Sequence, residues 1–177
     1  GPSLDKNISF LPQAKDRAVI IASDAALKPI LRLGIIPAFV VCLDPQEDIS
    51  RFLSGVSHKG ITLVAPSILH PKVLSLWEGN IIFYHKYAPD IPILTEIQNR
   101  IPHIGVLTPG GSVLSVAYDL AFQFAANPII FIGQDLSYPK KNMYSRNGEN
   151  EEKVLDQEWE KQQENIVFET DINGADL

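Results

Sequence analysis

The chain has 177 residues, 45% of them hydrophobic and 20% charged, with a formal net charge of −6. That balance suits a globular domain with a sizeable core. It excludes a membrane-spanning helix, because no apolar run approaches the ~20 residues such a helix needs, and with no basic stripe or basic–aromatic interleaving it gives no sign of a nucleic-acid partner. Cys42 is the single cysteine, which excludes an internal disulfide and a cysteine-built metal site and suits a cytoplasmic setting.

The chain opens on Gly1-Pro2-Ser3-Leu4, a glycine-bearing loop leading into a helix predicted over Asp5–Lys15. Ala18–Ser23 reads as a strand, followed by a turn and a helix that Gly34 ends; Pro29 restricts that helix to a start close by, since proline is tolerated only in a first turn. Ala38–Pro45 is a second strand, with a helix around Glu47–Leu53. Ile61–Ser67 and Ile81–Ala88 are further strands, and helices fall around Pro71–Glu78 and Ile93–Arg100. Thr108-Pro109-Gly110-Gly111-Ser112 precedes a long apolar helix, Val113–Ala126, and Ile129–Ile132 forms a last strand running into Gly133-Gln134-Asp135.

Continuous apolar strands alternating with helices predict an α/β fold, a three-layer α/β/α Rossmann-like sandwich with a mainly parallel sheet. One nucleotide-binding domain is expected over residues 1–139. Residues 140–177 are expected to belong to it as a polar excursion, mobile or helical between Lys140 and Asn165, and the start of a terminal strand pair. From Glu149 to Glu164 seven acids and two lysines concentrate a net −5, the pattern of a solvated segment. The loop at Gly1 normally follows a strand, and the chain stops soon after a turn at Asn173-Gly174, so a fragment of a longer protein is expected.

In parallel sheets ligands bind beyond the carboxyl ends of the strands. Here those ends carry Ser23-Asp24, Asp44-Pro45, Pro66-Ser67 and Gly133-Gln134-Asp135. Each acid or hydroxyl alone reads equally as a helix cap; several on one rim favour a site. The two glycine loops present helix N-termini suited to an anion, but neither is a Walker A or a G-x-G-x-x-G motif, and tight turns capped by Ser3 and Ser112 account for them as well.

Taken in order, GPSL, SDAAL, LDP, GGSV and IGQDLSY resemble the central domain of the motility accessory factors, the Maf flagellin glycosyltransferases, whose domain family includes an archaeal-type 6-hydroxymethylpterin diphosphokinase. The order is also similar to that of bacterial sialyltransferases that use a CMP-sugar. The resemblance implies a CMP-activated nonulosonic acid as donor and flagellin, or another protein bearing Ser or Thr, as acceptor. Gly1, Pro2 and Ser3 would border the nucleotide phosphate, and Asp24 and Asp44 would contact the nucleotide. Gly110, Gly111 and Ser112 would meet the cytidine end or the sugar carboxylate. Gln134 and Asp135 would bind the nucleotide, and Tyr138 would stabilise the departing phosphate; Asp135 and Tyr138 are the catalytic candidates. The sialyltransferase pattern places a histidine base after the tyrosine, but this chain has none after His103, which leaves the base unassigned. No resident cofactor is expected. The alternatives are a diphosphokinase moving pyrophosphate from ATP to a pterin alcohol, with Mg²⁺ held by Asp24, Asp44 and Asp135, or a non-catalytic nucleotide-binding domain.

Overall fold

The computed structural model describes residues 1–136 and Ser145. Within them five strands form one sheet in the order β1-β2-β3-β4-β5, every neighbouring pair parallel. The strands are β1 (Ile21–Ser23), β2 (Phe39–Val41), β3 (Thr62–Pro66), β4 (Asn80–Lys86) and β5 (Gly105–Leu107). The helices are α1 (Leu4–Asn7), α2 (Leu27–Arg32), α3 (Ser50–Leu53), α4 (Pro71–Ser75), α5 (Pro92–Arg100) and α6 (Val113–Gln123), with 3-10 turns at Ile8–Ala14, Asp24–Ala26 and Glu47–Ile49.

Alternation along the strands divides the core between two faces. Ala22, Val40 and Leu63 pack on one side against Leu4, Leu27, Phe52 and Val73 from α1 to α4. Val41, Val64, Tyr84 and Leu107 pack on the other against Val116, Ala117 and Leu120 of α6. Each buried Val or Leu contributes roughly 1.5–3 kcal/mol of transfer free energy. The result is the α/β sandwich the alternating pattern predicts, helices covering both faces of an all-parallel sheet.

Local chemistry accounts for the helix ends. Pro29 sits in the first turn of α2, and Gly34, at φ +70°, ends the segment. Pro71 and Pro92 open α4 and α5 at the position where the missing N–H costs nothing. The expected Asp5–Lys15 helix is instead one α-turn followed by 3-10 structure containing Pro12, which cannot donate to an i−4 carbonyl. The apolar helix stops at Gln123, with Ala125 in the left-handed region at φ 54°.

One strand expectation needs correction, and one strand was not expected. Ile129–Ile132 is not a strand: Ile132 packs on the core, but Ile130 and Phe131 are exposed and the run pairs with no described strand. The fifth strand is Gly105–Leu107, too short and too close to the glycine loop to stand out as an apolar run. The expected excursion at Lys140–Asn165 and the terminal strand pair lie outside the described residues, save Ser145. Among the described residues no helix is long and apolar enough to cross a membrane.

Candidate functional site

Parallel strands bring their carboxyl ends to one rim. Asp24 follows β1 and is 4% exposed, its Oδ1 accepting the Ala25 amide at 2.7 Å. Burial pushes its carboxyl up to about 6; the Ala25 bond and Arg51 oppose this, while the charges of Asp44 and Asp48 add to it. Asp44, beyond β2, is half-buried and accepts the Gln46 amide at 3.2 Å, closing a turn. Both acids therefore accept from backbone amides one or two residues on, and they are close enough for their charges to interact. Arg51 pairs with Asp48 at 3.7 Å, and its carbonyl accepts the buried Lys28 ammonium at 2.6 Å, which fastens α2 to the segment after β2.

The loop Gly1-Pro2-Ser3 lies against the turn at residues 133–135. Gly1 N donates to the Gly133 carbonyl at 2.6 Å, and the Ser3 amide donates to the Asp135 carboxylate at 3.0 Å. Both glycines lie at a close approach that a side chain would disturb. A Cβ on Gly1 would fall 2.1 Å from Asp135 Oδ2, and Gly133, at φ +76°, would push one into Leu4 at 2.8 Å. Asp135 is thus engaged with the loop backbone, an arrangement that the nucleotide contact expected of it does not anticipate. Gln134 is exposed beside it, and Tyr138 lies outside the described residues.

The second glycine loop joins β5 to the N-terminus of α6. Ser112 and Ser115 form a reciprocal capping box, and Ser115 Oγ also accepts the Gly110 amide at 2.9 Å. Asp119, one turn further on, accepts the Thr108 amide at 2.7 Å and so fixes where the loop begins. Gly111 and Ser112 are exposed.

Two groups at the rim escaped the sequence reading. Lys86 ends β4, half-buried; desolvation lowers its ammonium pKa while the Asp44 charge opposes that. Its signal was a lysine at the end of a mostly apolar strand. The other is a pair: Ser67 Oγ lies 3.0 Å from Nδ1 of His85, whose Nε2 lies 3.0 Å from the Ile101 carbonyl. Ser67 follows β3 and is half-buried, whereas His85, in β4, is 2% exposed. Only the β3–β4 register, pairing Pro66 with Tyr84, puts these two residues side by side.

The model of the family described as 6-hydroxymethylpterin diphosphokinase MptE-like matches residues 1–141. The chain belongs to this family. Comparison with curated proteins gives no match. Among solved structures, this MptE-like chain is similar to the Maf glycosyltransferase from Magnetospirillum magneticum AMB-1, with a TM-score of 0.57 and 27% identity, over 69% of this chain and 19% of that one. The chain spans about a fifth of that protein's length. These matches agree with the family expected from GPSL through GQDLSY.

Proposed function

We propose that this chain is the nucleotide-sugar-binding domain of a glycosyltransferase, passing a nonulosonic sugar from a CMP-linked donor to a protein hydroxyl, with flagellin as the acceptor and motility as the outcome served. The observation that supports it most is the rim itself: desolvated Asp24 beside Asp44, in a chain 27% identical to a Maf glycosyltransferase over 69% of its length. Perturbed acids at the carboxyl ends of parallel strands are where such folds bind nucleotides. In this reading Gly1 to Ser3 border the phosphate and Asp24 and Asp44 contact the nucleoside. Gly110 to Ser112 meet the sugar carboxylate, and Gln134, Asp135 and Tyr138 complete the donor side. The reaction runs in the cytoplasm, where CMP-sugars are at hand, with no resident cofactor.

The family's description supports a second reading, pyrophosphoryl transfer from ATP to a pterin alcohol. Mg²⁺ would then neutralise the phosphates. Asp24 and Asp44 are the residues to hold it, since this ion takes one or two carboxylates and lets phosphate oxygens and water fill the rest of its shell. Among the described residues no cluster of three or more metal-ligating side chains exists, so the substrate phosphates must complete the site.

Calorimetric titration separates the readings. CMP should bind the wild-type chain and bind Asp24→Asn at least tenfold more weakly. Silence with CMP, together with stabilisation by ATP, Mg²⁺ and a hydroxymethylpterin, would transfer the assignment to the second reading.

A further inference from the structure

We propose that Ser67 and His85 are the proton acceptor for the alcohol in the transfer reaction, with Ser67 touching the substrate and His85 acting through it. The inference rests on the proposed function only as far as both readings share it: each moves an electrophilic group onto a hydroxyl oxygen, and each must dispose of that hydroxyl's proton.

The chemistry follows from the hydrogen bonds. The Ile101 carbonyl can only accept, so Nε2 of neutral His85 carries the ring proton and donates it there at 3.0 Å. Nδ1 is therefore a bare lone pair. Its partner at 3.0 Å is the Ser67 hydroxyl, which must donate. A hydroxyl held by a base that a third group orients is the arrangement that activates a serine or passes a proton through it. Its place fits the task. Ser67 lies just beyond the end of β3, between β2, which leads into Asp44, and β4, which ends at Lys86. Ser67 is only partly buried at the rim, while His85 beside it is shielded from solvent.

The other histidines do not offer this. His58 lies at the amino end of β3 and has both nitrogens on backbone groups, Leu53 O and Glu78 N. His70 is at the surface, capping α4 and facing Glu47. His103 is exposed.

With a CMP-sugar, the alcohol oxygen bonds to the anomeric carbon as the bond from that carbon to the phosphate oxygen breaks, its electron pair leaving with CMP. The alcohol proton passes to Ser67 Oγ while the serine's own proton passes to Nδ1 of His85. The imidazolium, still donating to Ile101, later returns its proton to solvent. With ATP the same proton path serves attack at phosphorus.

The test uses water as the simplest acceptor and two donors in parallel, CMP-N-acetylneuraminate and ATP with Mg²⁺, following release of CMP or of AMP. With whichever donor the wild-type chain turns over, Ser67→Ala should lower kcat about 100-fold or more, with KM for that donor unchanged and only the small fall in melting temperature that an unpaired Nδ1 on buried His85 brings. Ser67→Thr, which keeps the hydroxyl, should restore much of the rate. His85→Asn should match Ser67→Ala if it folds. Ser67→Ala with a wild-type kcat, or a loss that Ser67→Thr does not restore, overturns the pair whichever donor is used. Turnover of ATP alone overturns the CMP-sugar reading and leaves the pair to be judged on ATP. Release of neither nucleotide overturns both.

Discussion

His58 and His85 are each 2% exposed and each bonded through both ring nitrogens, yet they sit at opposite ends of the sheet with different partners. At the amino end His58 stacks on Trp77, with ring centroids 4.0 Å apart, and Trp77 in turn donates to the Asn80 carbonyl at 3.0 Å. Every partner of His58 there is backbone or aromatic. At the carboxyl end His85 pairs one nitrogen with the hydroxyl of Ser67, a partly buried side chain just beyond β3. A buried histidine closes a structure when its partners are backbone groups. It becomes chemically useful when one partner is a side chain that reaches solvent.

The largest expected effect tests the closed end. His58→Ala removes the stack and leaves Leu53 O and Glu78 N unpaired around a cavity. It should cost about 3–5 kcal/mol in denaturant unfolding. The folded fraction should bind CMP as the wild type does. Weakened affinity in a fully folded His58→Ala chain would break the contrast between the two ends.

Asp24→Asn works at the open end, with the opposite sign for stability. The folded carboxyl titrates at about 6 against 3.8 for the free side chain. The fold thus favours the protonated acid, and the acid's contribution to stability is fully present below pH 3.8 and lost as pH rises through about 6. Asparagine never pays for ionisation, and its Oδ1 still accepts the Ala25 amide. The variant should melt near the wild type at pH 4 and gain stability as pH rises, reaching on the order of 3 kcal/mol at pH 8. A stabilised protein that loses nucleotide affinity marks a group kept for function. Melting curves for both proteins across pH 4–8 check the sign, and a destabilised Asp24→Asn at pH 8 would show that the charged form is the one the fold needs.

Asp135 sharpens the comparison with a smaller effect. Asp135→Ala frees the Ser3 amide and with it the Gly1–Ser3 loop, at about 1–2 kcal/mol. Asp135→Asn can still accept that bond, so its melting temperature should return nearly to the wild-type value. Titration with CMP then decides the role of the carboxylate. Affinity restored along with stability means the acid only ties the loop; stability restored without affinity means its charge meets the ligand.

Much of the fold was legible because four of the five strands lie in continuous apolar runs, β2 and β3 buried nearly throughout and β4 apolar although Ile82 and Phe83 are exposed. Glycine and proline marked helix ends at Gly34, Pro71 and Pro92 for local reasons that any context would preserve. β5 was not legible: three residues paired on one side leave no periodicity to read. Ile129–Ile132 misled in the opposite direction: the run is apolar, yet Ile130 and Phe131 are exposed, only Ile132 packs on the core, and it pairs with no described strand. For the site, Asp24 and Asp44 could be picked out because a strand end is a local feature. Ser67 stood out on the same ground, as a strand-end residue, but its pairing with His85 did not, since 18 residues separate them and only the register of β3 on β4 brings them together.

Between the two ends lies a group that should answer to neither. Tyr84 projects from β4 into the α6 face, and its hydroxyl donates to the Cys42 carbonyl at 2.7 Å, spanning β3 to reach the chain just beyond β2. Burial raises the phenol pKa, with the nearby Cys42 and Asp24 adding to it, so the hydroxyl stays a donor at any working pH. Tyr84→Phe keeps the ring, which fills the space between Val64 and Val116, and removes one neutral hydrogen bond. The net worth of such a bond is about 1 kcal/mol, somewhat more where a buried carbonyl is left without its partner. A small fall in the denaturation midpoint is expected, with unchanged slope, unchanged CMP affinity and unchanged turnover. The stability loss would resemble the one at His58 in kind and be several times smaller, because no cavity forms. A change in turnover larger than in stability would mean that the rim is set by the span from β4 to β2. The working end of the sheet would then extend one residue deeper than Asp44, Ser67 and His85.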